Sequence, residues 1–118
     1  MTRTDKVYSG TLGTSESTVV TVGADTTFII KGIWVSNSNA DDKYAIVKVD
    51  DKRLVPSTII PAKDAIVLDN LHIPVIATKT IKVTGEVASD MDYYIWGIEE
   101  VTNSICQILR KQKLIGIS

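Results

Sequence analysis

The stretch Thr26 to Asn39, TTFIIKGIWVSNSN, constrains the fold more than any other. It holds Phe28, Ile29, Ile30, Ile33, Trp34 and Val35, with Lys31 as its one charge. β-branched and aromatic side chains suit a pleated surface, so residues from about Thr27 to Asn37 read as a strand. Alternation sets Phe28, Ile30, Gly32 and Trp34 on one face and Ile29, Lys31, Ile33 and Val35 on the other. A strand that covers a single core alternates apolar with polar. This one is largely apolar on both faces and asks for cover on two sides.

The rest of the chain repeats the strand signal in shorter pieces. Lys6 to Leu12 reads as a weak first strand anchored by Tyr8 and Leu12, after a loose polar start at residues 1–5. STVVTV (Ser17 to Val22) is a second strand, and Gly23-Ala24-Asp25 turns it into the apolar one. Tyr44 to Asp50 alternates again. A tight hairpin at Asp50-Asp51-Lys52 leads into Arg53-Leu54-Val55. Pro56 and Pro61 bracket Ile59-Ile60, and proline cannot donate to a ladder, so this piece reads as an edge or a connection. Ala65 to Leu71 is a further strand, followed by Ile73 to Ile76. TIKVTGEV (Thr80 to Val87) turns Ile81, Val83 and Val87 inward. Asp92 to Glu99 is a last strand with Tyr93 and Ile95 on one face and Tyr94, Trp96 and Ile98 on the other.

About eight short strands with turn signals every 8–12 residues predict an all-β fold, an antiparallel sandwich or jelly roll. Its core is expected to hold Ile33, Val35, Val47, Val49, Leu68, Ile81 and Val83. After Glu100 the period changes. Val101, Ile105, Ile108 and Leu109 fall on one face of a helix, with Arg110, Lys111 and Lys113 at its positive-charge-favouring end. Leu114, Ile115 and Ile117 follow as an apolar tail. The expected organisation is a β domain over residues 1–100 and a helical segment with its tail over residues 101–118.

Composition narrows the function classes. The 118 residues suffice for one domain with a core of its own. A net charge of −1 offers no electrostatic ground for binding nucleic acid or an anionic membrane. The start MTRTDKVYSG has no apolar run of a secretory signal, and no stretch nears the ~20 apolar residues of a membrane span, so synthesis in a cytoplasm without secretion is expected. Cys106 is the single cysteine and excludes an internal disulfide framework.

Catalytic candidates are few. His72 is the only histidine, with no cysteine or acidic pair beside it in sequence to orient it as a base or ligand. Cys106 beside the helical stripe reads as a small buried hydrophobe. Asp41-Asp42 and Asp50-Asp51 flank one strand at opposite ends and lack the spacing of a calcium loop. Ser9-Gly10, Gly13 and Gly23 form no phosphate-binding motif. No catalytic residue, cofactor site or metal site is expected. The aromatics Tyr8, Tyr44, Tyr93, Tyr94, Trp34 and Trp96 could form a sugar platform. Trp34 and Trp96 lie inside apolar strands rather than loops, which favours core or interface packing.

The order of signals resembles a known group. IIKGIWVSN leads into a polar loop and YAIVKVD, then TIIPAKDAIVLDNLHI, then IKVTGEV, and finally YYIWGIE. This pattern, over about residues 17–100, resembles the small β-sandwich virion proteins of tailed bacteriophages and prophages, the accessory proteins of heads, necks and tails. The resemblance implies a structural protein without enzymatic activity, present in several copies on the virion in company with other virion proteins. The doubly apolar strands point the same way, since self-association is the ordinary source of extra cover. The residues expected at such a contact are Trp34 and Trp96, whichever does not face the core, with Ile105, Ile108, Leu109, Leu114 and Ile115 of the C-terminal segment. A neighbouring copy is its favoured seat, its own domain the other. The alternative function is a carbohydrate-binding or host-surface adhesion module that takes a glycan on exposed Tyr or Trp.

Overall fold

A computed structural model describes residues 2–102. The expected helix and tail, with Ile105, Ile108, Leu109, Leu114 and Ile115, lie outside the described residues. The described chain forms β1 (Thr2–Thr11), β2 (Ser17–Thr21), β3 (Thr26–Asn37), β4 (Lys43–Val49), β5 (Lys52–Ile60), β6 (Asp64–Leu68), β7 (Ile73–Val75), β8 (Thr80–Gly85) and β9 (Met91–Val101). They make two antiparallel sheets. One has the order β1-β9-β3-β6, with β7 also on β3; the other has the order β2-β8-β4-β5. The fold is all-β and sandwich-like, with one apolar core drawing on both sheets.

The apolar strand is β3, and it does not alternate strictly. A β-bulge at Lys31 interrupts its pairing with β9: Ile30 opposes Gly97, and Gly32 opposes Trp96. One extra residue reverses the side-chain parity beyond it. Phe28 and Ile30 face the core before the bulge, and Ile33, Val35 and Asn37 face it after; all five are at most 1% exposed. Gly32 and Trp34 consequently point away from the core, and the two-faced apolar pattern dissolves into a single inward face that changes phase once. The strand on the other edge of β3 changes at the same place. β7 pairs with Phe28 to Ile30 and β6 pairs with Ile33 to Asn37. The link between them is tied to the bulge, where Leu71 N donates to the Lys31 carbonyl at 2.9 Å. The strand expected from Ala65 to Leu71 thus ends at Leu68 as β6, and the piece expected from Ile73 to Ile76 is β7, with the bulge between their pairing sites on β3.

Other expectations shift in smaller ways. Thr2 to Asp5 are not loose but paired with Ile98 to Val101. Val101 belongs to β9, with partners Thr2 and Thr26, rather than to a helical stripe. The β4–β5 hairpin closes through Asp50-Asp51, since Val49 pairs with Lys52. Both aspartates have positive φ, 52° and 59°, as a two-residue type I′ loop demands. Pro56 lies in β5, the edge strand of its sheet, beside a register shift. Ile33, Val35, Val47, Ile81 and Val83 are fully buried, while Val49 and Leu68 pack against the core partly exposed. Val87 lies beyond β8 and is also only partly buried.

Among the described residues one polar side chain is buried with the core. Asn37 ends β3, and its Nδ2 donates to the Ile60 carbonyl at the end of β5 and to the Asp41 carbonyl, both at 3.0 Å. Its Oδ1 accepts from Asn39 N at 2.9 Å. The amide thereby joins the two sheets and folds the Ser38–Asp42 loop over their end. Asn37→Ala strips the Ile60 carbonyl of that partner and should cost about 1–3 kcal/mol in urea unfolding. Asn37→Asp should cost more at neutral pH, because a carboxylate would meet two carbonyls with nothing to donate.

The solvent face of the four-stranded sheet is ionic. Lys48 contacts Glu16 at 2.7 Å, and Lys82 contacts Asp51 at 2.8 Å. The hydrogen bond from Lys82, then its charge, holds the Asp51 carboxyl below its ordinary range. A depressed carboxylate stabilises above its unfolded pKa of about 3.9 and loses that contribution as pH falls through its folded value. Asn keeps the left-handed backbone open at position 51. The melting temperature of Asp51→Asn should therefore fall below the parent's near pH 6, with the gap closing in strong acid.

Candidate functional site: the outer face of the five-stranded sheet

The two sheets differ in what they turn to solvent. Register places Val7, Trp96 and Gly32 in one row across β1, β9 and β3. The next row is Ser9, Tyr94, Trp34 and Val67, across β1, β9, β3 and β6. A third is Asp5, Ile98, Ile29 and Pro74. Val7 is 60% exposed, Val67 59%, Tyr94 42% and Trp34 39%. Large apolar side chains thus lie side by side on the outside of one sheet, where the other sheet carries lysines and acids beside a lone exposed Ile59 on its edge strand β5. Contiguous apolar surface of this kind marks a site of interaction.

Two aromatic arrangements give the face its shape. Trp34 stacks on Tyr94 with ring centroids 5.4 Å apart and planes 25° from parallel. Trp96 lies across Gly32, where a Cβ would sit 2.0 Å from the indole ring. Gly32 is thus a seat for Trp96, and the bulge that turned Gly32 outward made the seat available. Both expected contact tryptophans face away from the core. Trp96 is half-buried by its seat and Trp34 is open.

The rim is polar. Arg3 pairs with Glu100 at 3.3 Å, and Thr11 Oγ1 donates to Asp92 at 2.8 Å. Lys31 Nζ lies 3.0 Å from His72 Nδ1 in an exposed contact. Beside Trp34 a shallow open groove of about 400 Å³ runs between Ser36, Asn37, Ser38, Lys63, Asp64 and Ala65. Lys63 Nζ donates to the Ser38 carbonyl across it at 2.6 Å.

Among the described residues no three His, Cys, Asp or Glu side chains gather as a metal site. Burial, with the Glu99 charge a lesser cause, pushes the Tyr8 phenol up, and burial does the same for Tyr93. These phenols stay protonated and face the core. The arrangement can bind apolar or stacking surface, and its rim can set orientation. The positions of Trp34 and Trp96 on strands were legible in the sequence. The contribution of Val7 and Val67 was not, because it arises from register between strands far apart in the chain.

The seat predicts a coupled pair of substitutions. Gly32→Ala should expel the Trp96 ring, shift the tryptophan emission and cost about 1–3 kcal/mol as an overpacked site. With Trp96→Ala already present the same change should cost far less, a coupling that a double-mutant cycle in urea would measure.

No protein-family model matches the chain, and no curated protein matches it significantly, so the role of this face follows from its own residues.

Proposed function

We propose that the protein is a non-enzymatic structural component of a tailed bacteriophage or prophage particle. It self-associates and attaches to a larger assembly as a head-decoration, neck or tail accessory protein. The observation that carries the reading is the aromatic and aliphatic face on the outside of β9, β3 and β6, beside an ionic face on the opposite sheet. A one-sided apolar surface is what a subunit offers to a neighbour. Strand order gives a second support. β1 lies against β9, β2 against β8, β3 against β6 and β4 against β5, a nested ribbon of pairs divided over two sheets. Such nesting is the order of a jelly roll, an architecture used by capsid and lectin domains alike. Fold analogy by itself assigns no activity, so the apolar face remains the weightier argument.

In this reading the protein needs no cofactor, nucleic acid or membrane, and its partners are other copies and other virion proteins. It is made in the host cytoplasm and ends in the particle. Among the described residues no helix is long and apolar enough to cross a membrane.

A specific observation favours a second reading. The open Trp34–Tyr94 stack adjoins a groove lined by Ser36, Ser38, Lys63 and Asp64, and an aromatic plane beside hydroxyl and charged groups also suits a sugar ring. A carbohydrate-binding or adhesion module would use the same residues.

Light scattering on the purified full chain, followed by a glycan panel, separates the two. A discrete multiple of the 12.9 kDa chain mass is expected, with no glycan retained. A monomer that binds glycans, and loses them on Trp34→Ala, would move the assignment to adhesion. Density-banded particles from a strain that encodes the protein should also contain it in fixed proportion to the other virion proteins.

A further inference from the structure

Resting on the self-association reading, we propose that the outer face of the five-stranded sheet seats residues 103–118 of a second copy of this chain, making a head-to-tail contact.

Charge is the first argument. Residues 103–118 carry Arg110, Lys111 and Lys113 and no acid, so the net −1 of the chain divides into +3 for this segment and −4 for the rest. Asp5, Asp92 and Glu100 lie at outward register positions on β1 and β9, around the apolar rows, with Arg3 paired to one of them. On the opposite sheet's outer face Lys48 and Lys82 pair with Glu16 and Asp51, while Lys31 and Lys63 stand only at the rim of the five-stranded face. An apolar stripe of Ile105, Ile108 and Leu109 followed by three cations therefore complements this face in both hydropathy and sign.

Reach is the second argument, and it separates a neighbour's segment from the chain's own. The segment leaves β9 after Thr102, whose N–H donates to the Asp25 carbonyl at 2.8 Å. Tyr94 lies eight residues back along β9, roughly 26 Å at a strand's rise of about 3.3 Å per residue. Leu109, the last residue of the apolar stripe, is seven residues beyond Thr102. With two or three of those spent on a reversal in cis, even a fully extended chain returns at most about 18 Å, at about 3.6 Å per residue. The stripe in cis therefore stops short of the row of Tyr94, Trp34 and Val67, the most exposed aromatic part of the face. A segment from a second copy has no such tether. The resulting contact joins unlike surfaces, so it closes into a ring or extends as a line rather than ending at a symmetric pair.

Complementary variants of the full chain test this. Trp34→Asp spoils the face and keeps the segment; Ile105→Asp with Leu109→Asp spoils the segment and keeps the face. The parent should assemble, each variant should fall to monomer mass with its β spectrum intact, and an equimolar mixture should recover a two-chain complex by light scattering and native mass spectrometry. The mixture has one intact face and one intact segment, and only a contact between copies can join them. A mixture that stays monomeric overturns the proposal, and so does a parent-like assembly of either variant. Unfolding of the Ile105, Leu109 variant would assign the segment to its own domain and likewise overturn it. Should Trp34→Asp unfold, Val67→Lys spoils the same row from a more exposed position and is read in its place. A monomeric parent overturns the self-association reading itself. An assembled parent with unresponsive variants overturns only this assignment of surface.

Discussion

The extra residue at Lys31 sets the phase of everything around it. Without a bulge, β3 would bury either Phe28 and Ile30 or Ile33 and Val35, and turn the other pair to water. Burying a Phe, Val or Ile side chain is worth roughly 1.5–3 kcal/mol, so misplacing two of them would remove a large part of a typical domain's 5–15 kcal/mol. The bulge avoids that loss, and the neighbouring strands accommodate it. β6 and β7 each serve one phase of β3, and the connection between them docks on the Lys31 carbonyl. On the β9 side Gly97 is required for a different reason. A Cβ there would fall 2.0 Å from the Ile29 carbonyl oxygen, so the backbone can approach this closely only at a glycine.

The same reversal of phase decides which surface is aromatic. It sends Gly32 and Trp34 outward together, next to Tyr94 and Trp96, which already face out by the plain alternation of β9. Alternate positions on two strands, Gly32 and Trp34 with Tyr94 and Trp96, become an aromatic surface with a slot in it. A strand built only to close a core has no use for Trp34 in the open. The packing of the interior and the exposed face are thus one event in the chain, placed by a single inserted residue.

Much of this is legible in the sequence. The all-β class, the strands β3, β4, β8 and β9, and most of the core follow from β-branched composition, alternation and turn residues, all local signals. The alternation along β9 was read correctly because no bulge interrupts it there. What sequence reasoning missed is nonlocal. Lys31 as a bulge residue leaves no compositional mark, and strict alternation through it set Trp34 on the face of Phe28. Thr2 to Asp5 look loose because nothing in TRTD is apolar, yet their backbone groups complete a ladder with β9. Asn37 looks like the start of a polar loop, and its burial becomes visible only when the end of β5 arrives beside it. The site divides in the same way. Both tryptophans were identifiable as large aromatics on apolar strands, while Val7 and Val67 join them through pairings that span the whole chain.

The contrast between the two outer faces carries a further consequence. Lys48, Lys82, Glu16 and Asp51 remain hydrated and pair at the surface, where such bridges contribute little to stability. Covering them would cost desolvation that their mutual attraction only partly offsets. Covering Val7, Trp34, Val67 and Tyr94 releases water from apolar surface at no such cost. Any partner therefore gains far more from the five-stranded face than from the four-stranded one, and the ionic face acts as a barrier to the wrong orientation. Under the proposed self-association, the sheet that kept its charges would set the polarity of assembly. β1 limits it from the side: it is the edge of the five-stranded sheet, and Arg3, Asp5 and Lys6 discourage edge-to-edge pairing with another sheet. With that edge charged, the favourable approach to the five-stranded sheet is onto its aromatic rows.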